Sequence, residues 1–277
     1  MSVFFSVFAS LPSRLAAVRA AALAPAVVLA ACASAPPVAW PTDPEVDAVA
    51  GMAAAVQPTD WVQTGWQHWT LPGKQATLYR PVREGGRDAL QVRASASASL
   101  MRRAVDLPPD ELGTLRFSWK VPALLPGADM ARREAEDAVV RVVLTFDGDR
   151  SRLSARDHML SELAMVMTGE PLPYATLMYV WCPTREVGQV ITNPRTDRIR
   201  KLVVEGGATR LNQWLDYERD VRADYLRVFG EEPGRLLHVA VMSDGDNTRS
   251  KFRAWYGPVR LGTVASRPAG PDDDDAR

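Results

Sequence analysis

The chain has 277 residues, with 33 basic and 33 acidic side chains balancing to a formal net charge of zero, and two cysteines. This balance excludes a nucleic-acid partner, whose phosphates demand a clustered basic surface. Two cysteines exclude a disulfide framework, so the fold must stand on its hydrophobic core.

Residues 1–31 carry Arg14 and Arg19 and no acid, then an apolar run from Ala20 to Ala31 that is too short to span a bilayer. The run ends in Leu29-Ala30-Ala31-Cys32, which resembles the bacterial lipobox. The expectation is a signal peptide over 1–31 and a lipid on Cys32, which makes the membrane a partner through that lipid. The alternative is an ordinary signal cut at an Ala-x-Ala site, with Cys32 a bystander. Ala33 stands where an aspartate would resemble an inner-membrane retention signal, which implies an outer-membrane lipoprotein facing the periplasm.

Residues 32–60 are rich in Ala and Pro and read as a tether. Residues 61–265 read as a single domain, and 266–277, with Asp272 to Asp275 in a row, as an acidic disordered tail.

Within the domain, strand-like runs follow at short spacing: 76–82, 89–94, 100–105, 114–121, 138–146, 176–182, 187–192, 199–205, 236–243 and 252–261. Leu115, Phe117, Trp119 and Val121 alternate with Arg116, Ser118 and Lys120, so one side faces a core and the other meets water or a cleft. Helical spacing appears twice. It runs through Leu160, Leu163, Ala164 and Met167 within 154–168, and through Trp214, Tyr217, Val221, Tyr225 and Phe229 within 212–229. The predicted fold is mainly β, a jelly-roll-like antiparallel β-sandwich with two inserted helices laid over the sheets.

Three polar groupings can carry chemistry. Lys120, Asp137 and Arg141 lie on or beside two strands, and Arg141 is embedded among Val and Leu, where a lone charge is costly. It needs either a structural ion-pair partner or an anionic or polyhydroxylated ligand to clamp. In the segment 217–225, Arg219 is followed by Asp220 and Asp224, one helical turn apart; such a pair can do acid–base work or form a solvated face. The third grouping is Ser243-Asp244-Gly245-Asp246-Asn247-Thr248. Asp244 and Asp246 offer oxygens to calcium in this turn, but Trp255 stands where an EF-hand has its twelfth-position Glu, and a simple turn explains the same residues.

No Gly-x-Ser-x-Gly, HExxH or phosphate loop is present, and His68, His158 and His238 are too scattered for a zinc site. No metal or cofactor is expected. Cys182, in an apolar stretch, reads as a small buried hydrophobe. The eight tryptophans either pack the core or stack on sugar rings.

Several of these landmarks together resemble the bacterial domain-of-unknown-function family 3047. They are Trp69-Thr70-Leu71-Pro72-Gly73-Lys74, Trp119-Lys120-Val121, Asp137 with Arg141, the run from Leu172 to Trp181, Arg219-Asp220-Val221 with Asp224-Tyr225, and the turn from Asp244 to Thr248. The resemblance implies an exported protein and names no reaction. The functional expectation is a cell-envelope lipoprotein that binds a glycan or other polar ligand without catalysis, in one cleft lined by Lys120, Asp137, Arg141, Arg219, Asp220, Asp224, Asp244 and Asp246. The first alternative is a glycan hydrolase or lyase using Asp220 and Asp224 with Arg141 and Lys120. The second is an envelope scaffold or protein-interaction module, which an exposed apolar patch would favour.

Overall fold

The elements follow from the alternation of apolar side chains along the chain. In Ala138–Phe146 a run of β-branched residues sends Val140, Val142, Leu144 and Phe146 into one core cluster, while Val143 joins a second cluster on the opposite face. The computed structural model describes residues 65–263. The expected signal (1–31), Cys32, the tether (32–60), the domain's first residues and the acidic tail (266–277) lie outside the described residues.

The strands are β1 (Gln67–Thr70), β2 (Leu78–Glu84), β3 (Arg87–Ser95), β4 (Ala98–Leu107), β5 (Leu112–Lys120), β6 (Ala138–Phe146), β7 (Ala175–Cys182), β8 (Val190–Thr192), β9 (Ile199–Gly206), β10 (Trp214–Asp220), β11 (Leu236–Asp244), β12 (Lys251–Tyr256) and β13 (Arg260–Thr263). The helices are α1 (Ala155–Thr168) and α2 (Val221–Phe229). One sheet has seven strands in the order β1-β4-β11-β6-β7-β9-β8. The other has the order β10-β5-β12-β3-β2, with β13 also pairing β5.

This is the expected jelly-roll-like sandwich with two helices. Its pairings are antiparallel except β7 with β9, which run parallel because β8 returns the chain to the far side of β9. Between the sheets, Phe117 stacks on Tyr179 and Tyr217, with ring centroids 5.6 and 5.2 Å away, and Trp119 is fully buried beside them. Each such aromatic stabilises the fold by roughly 2–3 kcal/mol through area removed from water. Cys182 is a buried free thiol within the cluster on the outer face of the seven-stranded sheet.

Three segments depart from the sequence reading. The helix expected over 212–229 begins only at Val221; Trp214–Asp220 is the edge strand β10, with Leu215 opposite Trp119 and Tyr217 opposite Phe117. Pairing with β5 won over the helical spacing because it buries Leu215 and half-buries Tyr217 at period two. The run 252–261 is two strands. Gly257 and Pro258 interrupt it, and the ladder on β5 resumes with one extra residue, Tyr256 opposite Trp119 but Arg260 opposite Arg116. A Cβ at Gly257 would sit 2.1 Å from the Ser118 hydroxyl oxygen, so any larger residue there must turn that hydroxyl aside for the bulge to lie against β5.

The third departure is α1. It forms where predicted, capped by Ser154 and ended by a left-handed Gly169, but its buried residues are Asp157 and Ser161, while Leu163 and Met167 face solvent.

Candidate functional site

The eight residues expected to line one cleft occupy three separate environments. Lys120 follows the inward-facing Trp119 and so lies on the outer face of the six-stranded sheet. Arg141 lies between the inward-facing Val140 and Val142, on the outer face of the seven-stranded sheet. These faces are on opposite sides of the sandwich, so the single cleft is corrected: no one groove holds all eight.

At the edge between the sheets, Arg219 alternates with Leu215 and Tyr217 and turns inward. Its Nε donates to Asp224 at 2.8 Å, and the Tyr179 hydroxyl donates to the same carboxylate oxygen at 3.0 Å. Asp224 holds the Arg219 guanidinium protonated more firmly than usual, and burial pushes the Tyr179 hydroxyl well above the ordinary phenol range. Asp220 instead caps α2, accepting from the Ala223 N–H at 2.9 Å. The two carboxylates therefore do different jobs, one a saturated buried partner and one an exposed cap, and do not form an acid–base pair across a groove.

On the outer face of the seven-stranded sheet, Asp137, Arg141, Asp244 and Asp246 do come together, at the start of β6 and the end of β11. Asp137 has no exposed surface and accepts three hydrogen bonds from the turn, from the Asn247 N–H at 3.2 Å and from the Thr248 N–H and hydroxyl at 2.6 Å each. This carboxylate holds the acidic turn in place.

Arg141 donates to the Glu136 carbonyl at 2.7 Å and lies 3.3 Å from Asp244, and Lys74 pairs with Asp246. Carboxylate oxygens of Asp137, Asp244 and Asp246 lie within 4.8 Å of one another. With Lys74 and Arg141 already among them, the group is close to neutral. Burial pushes the Asp244 carboxyl up to about 8, against the pull of Arg141, while Asp246 is held low by hydrogen bonding and by Lys74.

The sequence reading missed one buried member of this network. Lys201, fully buried on β9, bonds Glu136 at 2.8 Å and the Met130 carbonyl at 3.0 Å, and its burial lowers the ammonium to about 8. A lysine between Arg200 and Leu202 gives no sign of its burial, because β9 only becomes interior once the segment carrying Met130 lies over it.

The outer face of the six-stranded sheet is different in kind. Trp214, Lys120, Trp255, Gln91 and Arg80 form one cross-strand row running from β10 to β2. Lys120 pairs with Glu84 at 2.6 Å and stands 5.4 Å over the Trp255 ring.

Beside this row an open depression of about 660 Å3 is lined by Arg87, Arg116, Ser118, Asp216, Glu218 and Arg260, among others. Its walls are two exposed ion pairs, Arg87 with Asp216 at 2.8 Å and Arg116 with Glu218 at 2.9 Å. The Trp214 ring lies under Arg87 at 5.4 Å, its indole N–H donating to the Glu84 carbonyl at 3.2 Å. The alternation of β5 already placed Arg116 and Ser118 on the water or cleft side. The partners from β10 were hidden by its expected helix.

The chain belongs to the family described as "Protein of unknown function (DUF3047)", which it matches over residues 64–260. No curated protein matches it. Among solved structures it is similar to a family 11 carbohydrate-binding module of Clostridium thermocellum, at 7% identity and TM-score 0.35 over 72% of this chain and 88% of that one. It is similar also to endoglucanase cel12A from Rhodothermus marinus, at 10% identity and TM-score 0.40 over 72% and 92%. A third is a carbohydrate-binding module, CBM28, specific for non-crystalline cellulose, at 14% identity and TM-score 0.36 over 74% and 92%.

Proposed function

We propose that this family member is a non-catalytic binder of a polyhydroxylated ligand, a glycan of the cell envelope, and that the binding surface is the outer face of the six-stranded sheet. The observation that carries the reading is the open depression walled by the Arg87–Asp216 and Arg116–Glu218 pairs. Exposed pairs of this kind contribute little to stability. They do set hydrogen-bond donors beside acceptors, and vicinal hydroxyls need both. The two carboxylates in these walls, Asp216 and Glu218, are each held by an arginine, an arrangement suited to hydrogen-bonding hydroxyls.

The same proposal places the protein in the envelope as a lipoprotein, lipidated on Cys32 and carried on the periplasmic face of the outer membrane. The support is the Leu29-Ala30-Ala31-Cys32 sequence. Incorporation of radiolabelled palmitate, abolished by Cys32→Ser, tests the anchor.

Binding is tested by isothermal titration of the protein against a panel of envelope and plant polysaccharides. Binding to at least one, weakened about tenfold or more by Arg87→Ala or Arg116→Ala, is expected, since removing a central arginine contact costs upwards of about 1–2 kcal/mol. Binding that both variants leave intact would remove this face from the proposal, and silence across the panel would remove the glycan.

A further inference from the structure

Helix α1 is amphipathic the wrong way round for a helix that covers a sheet. Its underside is polar: Asp157 accepts from the Ser154 hydroxyl at 2.6 Å and the Thr196 hydroxyl at 2.5 Å, and Arg150 donates to Ser161 at 2.5 Å. These groups border a cavity of about 20 Å3, room for a single water. The solvent side carries Met159 (63% exposed), Leu163 (54%), Val166 (84%) and Met167 (55%), at i, i+4, i+7 and i+8, an apolar stripe flanked by the exposed charges Arg156 and Glu162. The bonded underside fixes the rotation of the helix, so the stripe cannot turn inward. A stripe of this kind marks a contact surface.

Its occupant follows from where the chain enters the domain. Met167 and Thr168 share the walls of a cleft of about 620 Å3 with the residues from His68 to Lys74. Arg102 ties the same corner together, 3.8 Å over the Trp69 ring and 2.7 Å from Glu170 just beyond the helix. Strand β1 is the first described strand after the segment that bears Cys32. The chain therefore enters the described domain beside the C-terminal end of α1. At 14 residues α1 is about 21 Å long. No described helix is long and apolar enough to cross a membrane, so a contact of α1 with a bilayer is a contact with its surface.

We propose that α1 is a second membrane contact, with Met159, Leu163, Val166 and Met167 dipping into the bilayer that holds the lipid of Cys32; this rests on the lipoprotein reading. The cavity under α1 is walled by Thr176 and Ile199 of the seven-stranded sheet, so α1 lies on that side of the sandwich. Docking through α1 turns the open depression of the six-stranded sheet away from the bilayer, toward the space where envelope glycans lie.

The test uses the full-length lipidated protein on phosphatidylethanolamine–phosphatidylglycerol vesicles. Val166→Cys is labelled with an environment-sensitive dye, Cys182 being buried and Cys32 blocked by its lipid. The expected result is a blue-shifted emission quenched by brominated acyl chains. Adding Met159→Gln, Leu163→Gln and Met167→Gln should lower the quenching several-fold while the protein stays on the vesicles. An unshifted, unquenched label on vesicle-bound protein overturns the α1 contact and leaves the anchor standing. A chain that carries no lipid and does not sediment with vesicles refutes the anchor, and with it the shared bilayer. A blue shift without lipid, accompanied by a doubled mass in sedimentation, assigns the stripe to a second copy of the chain and overturns the proposal.

Discussion

The two outer faces of the sandwich use the same kinds of residue to opposite ends. Over the seven-stranded sheet, Arg141 and Lys201 are 2% and 0% exposed, and Asp137, Glu136 and Asp244 meet them beneath the covering segment that carries Met130. Over the six-stranded sheet, Arg87 and Arg116 pair with Asp216 and Glu218 in the open. A buried charge left without its partner is strongly destabilising, whereas an exposed pair is screened and nearly neutral for stability. A cluster of charges in a strand is thus architecture on one face and a free surface on the other, and burial alone decides which.

The largest effect that can break this contrast is Arg141→Ala. It strips the Asp244 carboxyl and the Glu136 carbonyl of their buried donor, at about 1–3 kcal/mol for each acceptor left unsatisfied, and is expected to cost about 3–5 kcal/mol in urea denaturation. A cost below about 1 kcal/mol would mean that the sealed face is not held by its charges.

Gly257→Ala comes next, at about 1–3 kcal/mol, because its methyl group meets the Ser118 hydroxyl at 2.1 Å on the floor of the open face. A wild-type midpoint would show that the bulge can move.

A more specific effect is the pH dependence set by Asp244. Its carboxyl is raised to about 8 in the fold from an ordinary 3.8. Between those values the unfolded chain has lost this proton and the native protein keeps it, so the group makes stability fall as pH rises through the window. The slope is at most about 1.4 kcal/mol per pH unit. Asp244→Asn should remove that fall, and parallel stability curves for the two proteins from pH 4 to 8 would sink the assignment.

The smallest expected change is Arg116→Ala, within about 0.5 kcal/mol of wild type. It should alter glycan binding and leave the denaturation midpoint in place, the reverse of Arg141→Ala.

Much of the scaffold was legible before any coordinates. The run 138–146 reads as β6 to the residue, and the inward set Leu115, Phe117 and Trp119 is as its alternation implied, because period-two patterning is a local record of burial. The pairing of Asp137 with the turn from Asp244 to Thr248 was not legible: it joins residues 110 and 111 positions apart. Strand β10 was misread because Trp214, Tyr217 and Val221 fit helical spacing as well as strand alternation, and only contact with β5 breaks the tie.

By itself the sequence determined the fold class and the family, both of which are written in short-range patterns. Tertiary structure alone decided which charges are sealed, that Asp220 caps a helix while Asp224 holds Arg219, and that α1 displays its apolar stripe outward. The reason is that the free energy of a charge or a methyl group depends on what covers it, and the cover comes from segments distant in the chain.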